Sequence, residues 1–498
     1  MRRTKILATV GPATDRADRL LMLLESGADA FRLNVSHGSD DEHRATLRRM
    51  HEVSHRAHRE FAIVVDVQGP KLRIGEIAGG SVRLSRGDHW TLDQDPTLGS
   101  GYRTFVEIPS FERAARRGDP VLLGDGDVQL RVESAGPTAI ETRVVSGGVV
   151  SSHAGIFLPR ARLRTSAFGP RDQHDAELAL EEGFDFIALS FVRDETDVLV
   201  TRRWLDSHPG GEAVGIIAKI ERAEALRAIE RILSVADGIM VARGDLGIEV
   251  PLERLALEQK VLVRKANGAG RFSIVATQML RSMLTSPRPT RAEATDVANA
   301  VLDGADAVML SEESAVGQYP FEAVQWLDRI ARATEVRFDP QPVRGLVRAG
   351  GPGSAELSVA RAAVDLAENV RARAIVTPTH SGRTARLIAA LRPTCPVLAL
   401  SNSEPVRRHL ALVRAVRSFP AAAHDDLESL RKRSHELLKV PDLPPTGPFV
   451  LTAGYPVEGR PTNLVTVVEV EEGVSPRRRR RRHRHRASLP EIQPPKEG

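Results

Sequence analysis

Residues 184–250 read FDFIALSFVRDETDVLVTRRWLDSHPGGEAVGIIAKIERAEALRAIERILSVADGIMVARGDLGIEV. Three short, apolar, β-rich runs, 184–191, 214–220 and 238–242, are separated by helical stretches. Strand, helical crossover and strand again is the repeat of a parallel sheet. Runs of the same kind recur upstream at 5–10, 30–35 and 62–67, and downstream at 273–276 and 305–310. Eight of them predict a closed (β/α)8 TIM barrel of the α/β class rather than an open sheet.

Between the third and fourth runs the pattern changes to Gly-rich, alternating segments at 80–84, 121–123, 128–132 and 139–144. They predict an inserted all-β lid, a small β-barrel, over residues 75–160, so the catalytic barrel occupies 1–74 and 161–338. A Pro/Gly-rich linker at 340–353 leads to strand candidates at 374–377, 397–400, 449–452 and 464–470. They predict a C-terminal open α/β domain over 354–472. Residues 473–498 form an Arg-rich tail with too little apolar surface to order itself.

Composition narrows the function. No apolar run approaches the roughly 20 residues of a membrane span. Strand-like sequence starts at Thr4, leaving no room for a secretory signal, so a cytoplasmic protein without membrane contact is expected. The lone Cys395 can form no internal disulfide and reads as a core thiol. The net charge of +5 is misleading, because the tail holds eight Arg, one Lys and two Glu, and the remaining body carries −2. Nucleic-acid contact by the tail is therefore not the expected role. Of 70 basic residues only eight are lysine, and before residue 260 only Lys5, Lys71 and Lys219 occur. Where arginine is the default, a retained lysine marks a place for a compact ammonium that a planar guanidinium cannot imitate.

Polar groups gather where the runs end: Arg32, Asn34, Ser36 and His37; Asp66; Ser190; Lys219 and Glu221; Arg243 and Asp245; Thr277; Ser311 and Glu313. In a barrel these C-terminal strand ends converge on one face. Glu221 and Asp245 end adjacent strands, and two hard carboxylates suit Mg²⁺ or Mn²⁺. Arg32, Arg73 and Lys219 add positive charge beside them, the means by which proteins stabilise a migrating phosphoryl group.

At these residues the chain resembles the pyruvate kinase family from Thr4 to about residue 330. The matching stretches are TKILATVGPAT (4–14), FRLNVSHG (31–38), DVQGPKLRIG (66–75), LSFV (189–192), IIAKIE (216–221), GIMVARGDLGIEVP (238–251), ATQMLRSM (276–283), PRPTRAEATDVANAVLDGADAVMLS (287–311) and ESAVGQYP (313–320). The C-terminal domain is similar to the family's regulatory domain through IVTPTHSGRTARLIAALRP (375–393) and PTNLV (461–465). The resemblance implies phosphoryl transfer from phosphoenolpyruvate to ADP, giving pyruvate and ATP, the last step of glycolysis. It implies that Glu221 and Asp245 hold the divalent metal and that Arg32 and Lys219 contact the phosphoryl group, Lys219 also stabilising the enolate. The Gly244 and Asp245 amides with the Thr277 hydroxyl would hold the substrate carboxylate, and Thr277 would lie near the path of enolate protonation. Asn34, His37 and Arg73 would meet the nucleotide phosphates. The family is commonly a homotetramer.

The chain also departs from the family's pattern. KIEN reads KIER at Arg222, GKPV reads GRFS at Arg271 and Phe272, a lid-side lysine is Arg171, and a nucleotide-side basic residue is Val316. The first two remove no group the chemistry needs, whereas Arg171 and Val316 leave ADP affinity and nucleotide preference open. Members that need K⁺ bind it through groups corresponding to Asn34, Ser36, Asp66 and the Val67 carbonyl, and carry glutamate and threonine where this chain has Lys71 and Ile74. An ammonium there substitutes for K⁺, so none is expected to be required. Thr379, Ser381, Gly382, Arg383 and Thr384 form a hydroxyl-rich turn with one cation, similar to the family's effector loop, and predict allosteric control by a sugar or nucleoside monophosphate. Two alternatives stand beside the kinase. One is a catalytically weak regulatory paralogue. The other is a metal-dependent pyruvate-enolate lyase or aldolase, which would not need the cluster of Arg32, Arg73 and Lys219.

Overall fold

A computed structural model describes residues 2–57, 59–70, 72–108, 111–124, 126–158, 166–348, 354–421, 427–438, 443, 446–454 and 462–469. Lys71 and the 473–498 tail lie outside the described residues.

Eight parallel strands close a barrel: β1 (Lys5–Val10), β2 (Ala30–Asn34), β3 (Ala62–Asp66), β4 (Phe186–Leu189), β5 (Gly215–Ile220), β6 (Gly238–Ala242), β7 (Phe272–Ala276) and β8 (Ala307–Leu310). Each pairs with its sequence neighbour in the barrel, and β1 pairs with β8 to complete the ring. All eight runs read from the sequence are present: 5–10 and 238–242 match their strands, the run at 273–276 gains Phe272, and the other five strands are shorter than their runs. The fourth stops at Leu189, and two residues on Phe191 takes a φ of +55°, which no strand continues.

Side chains alternate along a strand, so every second residue points into the barrel. Leu7, Ala30, Ala62, Val64, Phe186, Ala188, Ile217, Met240, Phe272 and Ile274 fill the interior in one buried cluster. The alternate residues Ile6, Ala8, Phe31, Leu33, Ile63 and Val65 face outward under the helices. Continuing the inward phase by one step brings Thr9, Arg32, Asp66, Ser190 and Lys219 to the same end of the barrel. The register agrees, with Thr9 opposite Arg32 and Asp66 opposite Ala188.

The insertion between β3 and β4 forms a six-stranded and a two-stranded sheet around a shared core that includes Trp90, Phe111 and Val121. The C-terminal domain is an open five-stranded sheet: β9 (Ile375–Pro378), β10 (Val397–Ser401), β11 (Val416–Pro420), β12 (Phe449–Ala453) and β13 (Leu464–Val468). Its order is β11-β10-β9-β12-β13, with only β13 antiparallel. The edge strand β11, VRSFP, was missed by the sequence reading because arginine and serine interrupt its apolar character.

This domain seals the bottom of the barrel. Leu412 joins the interior cluster. Arg392, buried, grips both oxygens of Asp306 at 2.8 and 2.9 Å, while Arg407 pairs with Glu60 and Arg408 with Asp185. Lys5 lies at this end too, donating to the Val416 carbonyl at 2.7 Å. Its retention as lysine therefore serves the domain seam. No helix among the described residues is long and apolar enough to cross a membrane.

Candidate active site

The inward residues at the C-terminal ends of the strands meet around Asp66. Its buried carboxylate receives Arg32 Nε on Oδ2 at 2.7 Å and Lys219 Nζ on Oδ1 at 3.0 Å. Arg32 Nη1 also donates to Thr9 Oγ1 at 3.0 Å, and the Thr9 hydroxyl passes on to the Leu310 carbonyl at 2.7 Å. Lys219 reaches Ser190 Oγ at 2.7 Å and Glu221 Oε1 at 3.1 Å. Ser190 in turn donates to the Val67 carbonyl at 2.7 Å. The loop after β3 is drawn tightly to that after β4: a Cβ on Gly69, whose φ is +66°, would stand 2.9 Å from Ser190 Cβ, so glycine is required.

The charges bias one another. Burial would raise Asp66, but Arg32 and Lys219 outweigh it and hold the carboxyl below its ordinary value. Burial would lower Lys219, yet Asp66 and Glu221 keep its ammonium above the ordinary value. Glu221 is raised by burial and, after the opposing pull of Lys219, by the neighbouring charge of Asp245. A buried carboxylate whose ionised form a second carboxylate opposes is a pairing that fits a hard divalent cation. Glu221 Oε2 is also oriented by the Phe191 amide at 2.8 Å, leaving Oε1 on the Lys219 side.

The other half of the site follows β6 and β7. Thr277 and Gln278 adopt φ of +71° and +54°, strained for a β-branched residue above all. Arg243 holds that turn, its Nη2 on the Thr277 carbonyl at 2.7 Å, its Nε on that of Ala276 at 3.2 Å, and its Nη1 on Asp296 at 2.8 Å. Thr277 Oγ1 thereby accepts the Gly244 amide at 2.8 Å and donates to Ala276 O at 2.6 Å. Gly244 and Asp245 lie in the first turn of the helix Arg243–Glu249. They line a cavity of about 520 Å³ with Arg243, Thr277, Ser311 and Glu313.

The residues expected to meet the nucleotide are more dispersed. Asn34 Oδ1 accepts the Ser36 amide at 3.3 Å, and exposed His37 offers its carbonyl to His43 Nε2 at 2.7 Å. Arg73 sits at the base of the lid, Nη1 donating to the His153 carbonyl at 3.1 Å. In the C-terminal domain, Thr379 donates its amide to Leu400 O, Ser381 O accepts Arg386, and Gly382 has a φ of +76°. Arg383 pairs with Glu356 at 2.6 Å, and Thr384 shares a hydrogen bond with Thr462 at 2.8 Å.

The departures from the family's pattern have their own partners. Arg222 pairs with Glu249, Arg171 with Asp175, and Arg271 donates to the Leu233 carbonyl, while Phe272 packs edge-on to Phe186. Val316 is exposed. Thr9 and Asp296 were not singled out from the sequence. Thr9 carried a usable signal, because it occupies the inward phase of β1 at the polar end; Asp296 lies on a helix and had none.

Fold and site together define a (β/α)8 enzyme whose strand ends bring together two cations, buried carboxylates and the strained Thr277 turn. The pyruvate kinase barrel-domain model matches residues 1–324 and the pyruvate kinase alpha/beta-domain model residues 357–468. A pyruvate kinase from Geobacillus stearothermophilus is 39% identical over 475 residues, spanning 94% of this chain and 80% of the relative. One from Thermococcus litoralis is 40% identical over 84% of this chain and 88% of its own length. The crystal structure of a pyruvate kinase from Cryptosporidium parvum superposes with a TM-score of 0.88 at 34% identity, covering 94% and 96% of the two chains. The chain belongs to the pyruvate kinase family and is a phosphotransferase.

Proposed function

We propose that this enzyme transfers the phosphoryl group of phosphoenolpyruvate to ADP, forming pyruvate and ATP. The observation that carries this reading is the meeting of Arg32 and Lys219 on Asp66, beside Glu221. The Thr277 hydroxyl and the Gly244 amide, now satisfying each other, turn to the substrate carboxylate. Arg32 and Lys219 face the phosphoryl oxygens, and Lys219 then neutralises the enolate oxygen as the phosphorus–oxygen bond breaks. The departing phosphoryl group joins the terminal phosphate oxygen of ADP, whose phosphates meet Asn34, His37 and Arg73. The enolate carbon takes a proton on the Thr277 side. Glu221 and Asp245 would hold Mg²⁺ or Mn²⁺, which supplies Lewis-acid polarisation of substrate oxygens.

K⁺ is not required in this reading. The groups that would bind it are engaged: Asp66 by two cations, the Val67 carbonyl by Ser190 and Asn34 Oδ1 by the Ser36 amide. Lys71, carrying the remaining charge, is a sequence argument alone. The 379–384 loop takes a sugar or nucleoside monophosphate, releasing Arg383 from Glu356. Exposed Leu252, Leu257 and Val261 support self-association to a homotetramer. The domain boundaries are proposed as 1–74 with 161–338, 75–160 and 354–472, in a cytoplasmic enzyme. Removing divalent metal with EDTA should stop pyruvate formation, and adding back Mg²⁺ should restore it. Turnover that persists in EDTA would count against this site.

A further inference from the structure

Arg373 stands just before β9 and is only 6% exposed. Its Nη2 donates to the Leu438 carbonyl at 2.8 Å, but its buried Nε has no hydrogen-bond partner, and no ion pair joins it among the described residues. Burial pulls its guanidinium below the ordinary value. A buried cation without an anion is unfavourable, and such a group calls for a partner.

Arg373 lines a cavity of about 700 Å³ between the barrel's helix Pro320–Glu335 and the C-terminal domain's helix Ala355–Asn369. Arg3, Arg332 and Arg371 line it as well, with Glu335 and Glu368 as the acids. Both acids are committed. Glu335 accepts the Arg3 and Thr4 amides and pairs with Arg414, and Glu368 is held by Arg344. Both helices end at this cavity, and their carbonyls add negative character. Arg3 answers one of them, donating to the Glu335 carbonyl at 2.6 Å. Arg371, exposed at a φ of +52° just past the second helix, has no side-chain hydrogen bond or ion pair among the described residues.

We propose that this seam cavity is an anion site, separate from the 379–384 loop, which takes a small phosphate monoester between Arg371 and Arg373. A guanidinium presents paired donors matched to phosphate oxygens. The volume is that of an organic ligand site rather than of a bare ion. Because Arg3 and Glu335 belong to the barrel and Arg371 and Arg373 to the other domain, an occupant touches both.

Thermal unfolding of the full chain in chloride buffer, with inorganic phosphate added stepwise, tests this in an Arg383→Ala background that silences the effector loop. The background protein should gain stability with phosphate. Arg373→Met should unfold no lower than that background without phosphate, since an unanswered buried charge is gone, and should lose at least half of the phosphate-dependent rise in Tm. Arg371→Ala should weaken phosphate at least fivefold. Both should keep the background's rate of pyruvate formation in phosphate-free buffer. A hexose 6-phosphate and a nucleoside 5′-monophosphate, titrated in turn, distinguish the two sources of the monoester. The proposal is overturned if phosphate stabilises either variant as it does the background, or if Arg373→Met unfolds several degrees lower without phosphate, the signature of a broken internal pair.

Discussion

Lys219 and Arg32 hold opposite oxygens of one carboxylate, Asp66, at 3.0 and 2.7 Å. A buried anion thus fixes the spacing of the two cations that, in the proposed reaction, face the transferred group. Asp66→Asn keeps the shape but removes the charge that orients them. Its kcat should fall on the order of 10²-fold, with stability lower by on the order of 3 kcal/mol. Steady-state kinetics and urea unfolding check both. A variant with wild-type kcat would show that the cations need no such anchor.

Lys219→Arg should retain the fold and lose about 10² to 10³ in turnover. The ammonium serves Asp66, Ser190 and Glu221 within 3.1 Å, a tetrahedral demand that a planar fork cannot meet. Near-normal kcat, with circular dichroism unchanged, would remove Lys219 from the chemistry.

Much of this site was legible because strand periodicity is a local property. Once β2, β3 and β5 are recognised, the inward phase that carries Ala30, Ala62 and Ile217 into the core also carries Arg32, Asp66 and Lys219 to the rim. What was not legible depends on the assembled fold. Nothing near Arg383 in sequence announces Glu356, and nothing near Arg392 announces Asp306. The same limit hid β11, whose pairing with β10 overrides the polar Arg417 and Ser418. The arginine bias, read as a background against which lysines stand out, also supplies the ion pairs of the domain seam at Arg392, Arg407 and Arg408.

At the opposite end of the barrel, burial brings the Lys5 ammonium down to about 8, against the pull of Asp29. An unfolded lysine stays protonated to about pH 10.4. Between about pH 8 and 10.4 the unfolded chain therefore binds more protons, and this group's contribution to stability rises with pH. Below pH 8 its cost is fully present. The stability of the wild type minus that of Lys5→Met, from urea unfolding, should climb by on the order of 3 kcal/mol across that window. A flat difference would show that Lys5 titrates normally.

Full activity is expected in buffers whose monovalent cation is tetramethylammonium, because a lysine at position 71 and the occupied Asp66 leave K⁺ no role. Lys71→Glu should acquire dependence on K⁺. A wild type that is inactive until K⁺ is added would overturn this part of the account.

The most direct test of the whole follows phosphorus itself. With phosphoenolpyruvate, ADP and Mg²⁺ supplied to the full chain, ³¹P spectra should show the phosphoenolpyruvate signal replaced by ATP, one for each pyruvate released, and no pyruvate should form when ADP is left out. Pyruvate released without ADP, or no consumption of phosphoenolpyruvate at all, would contradict phosphoryl transfer at the Arg32, Lys219 and Glu221 site.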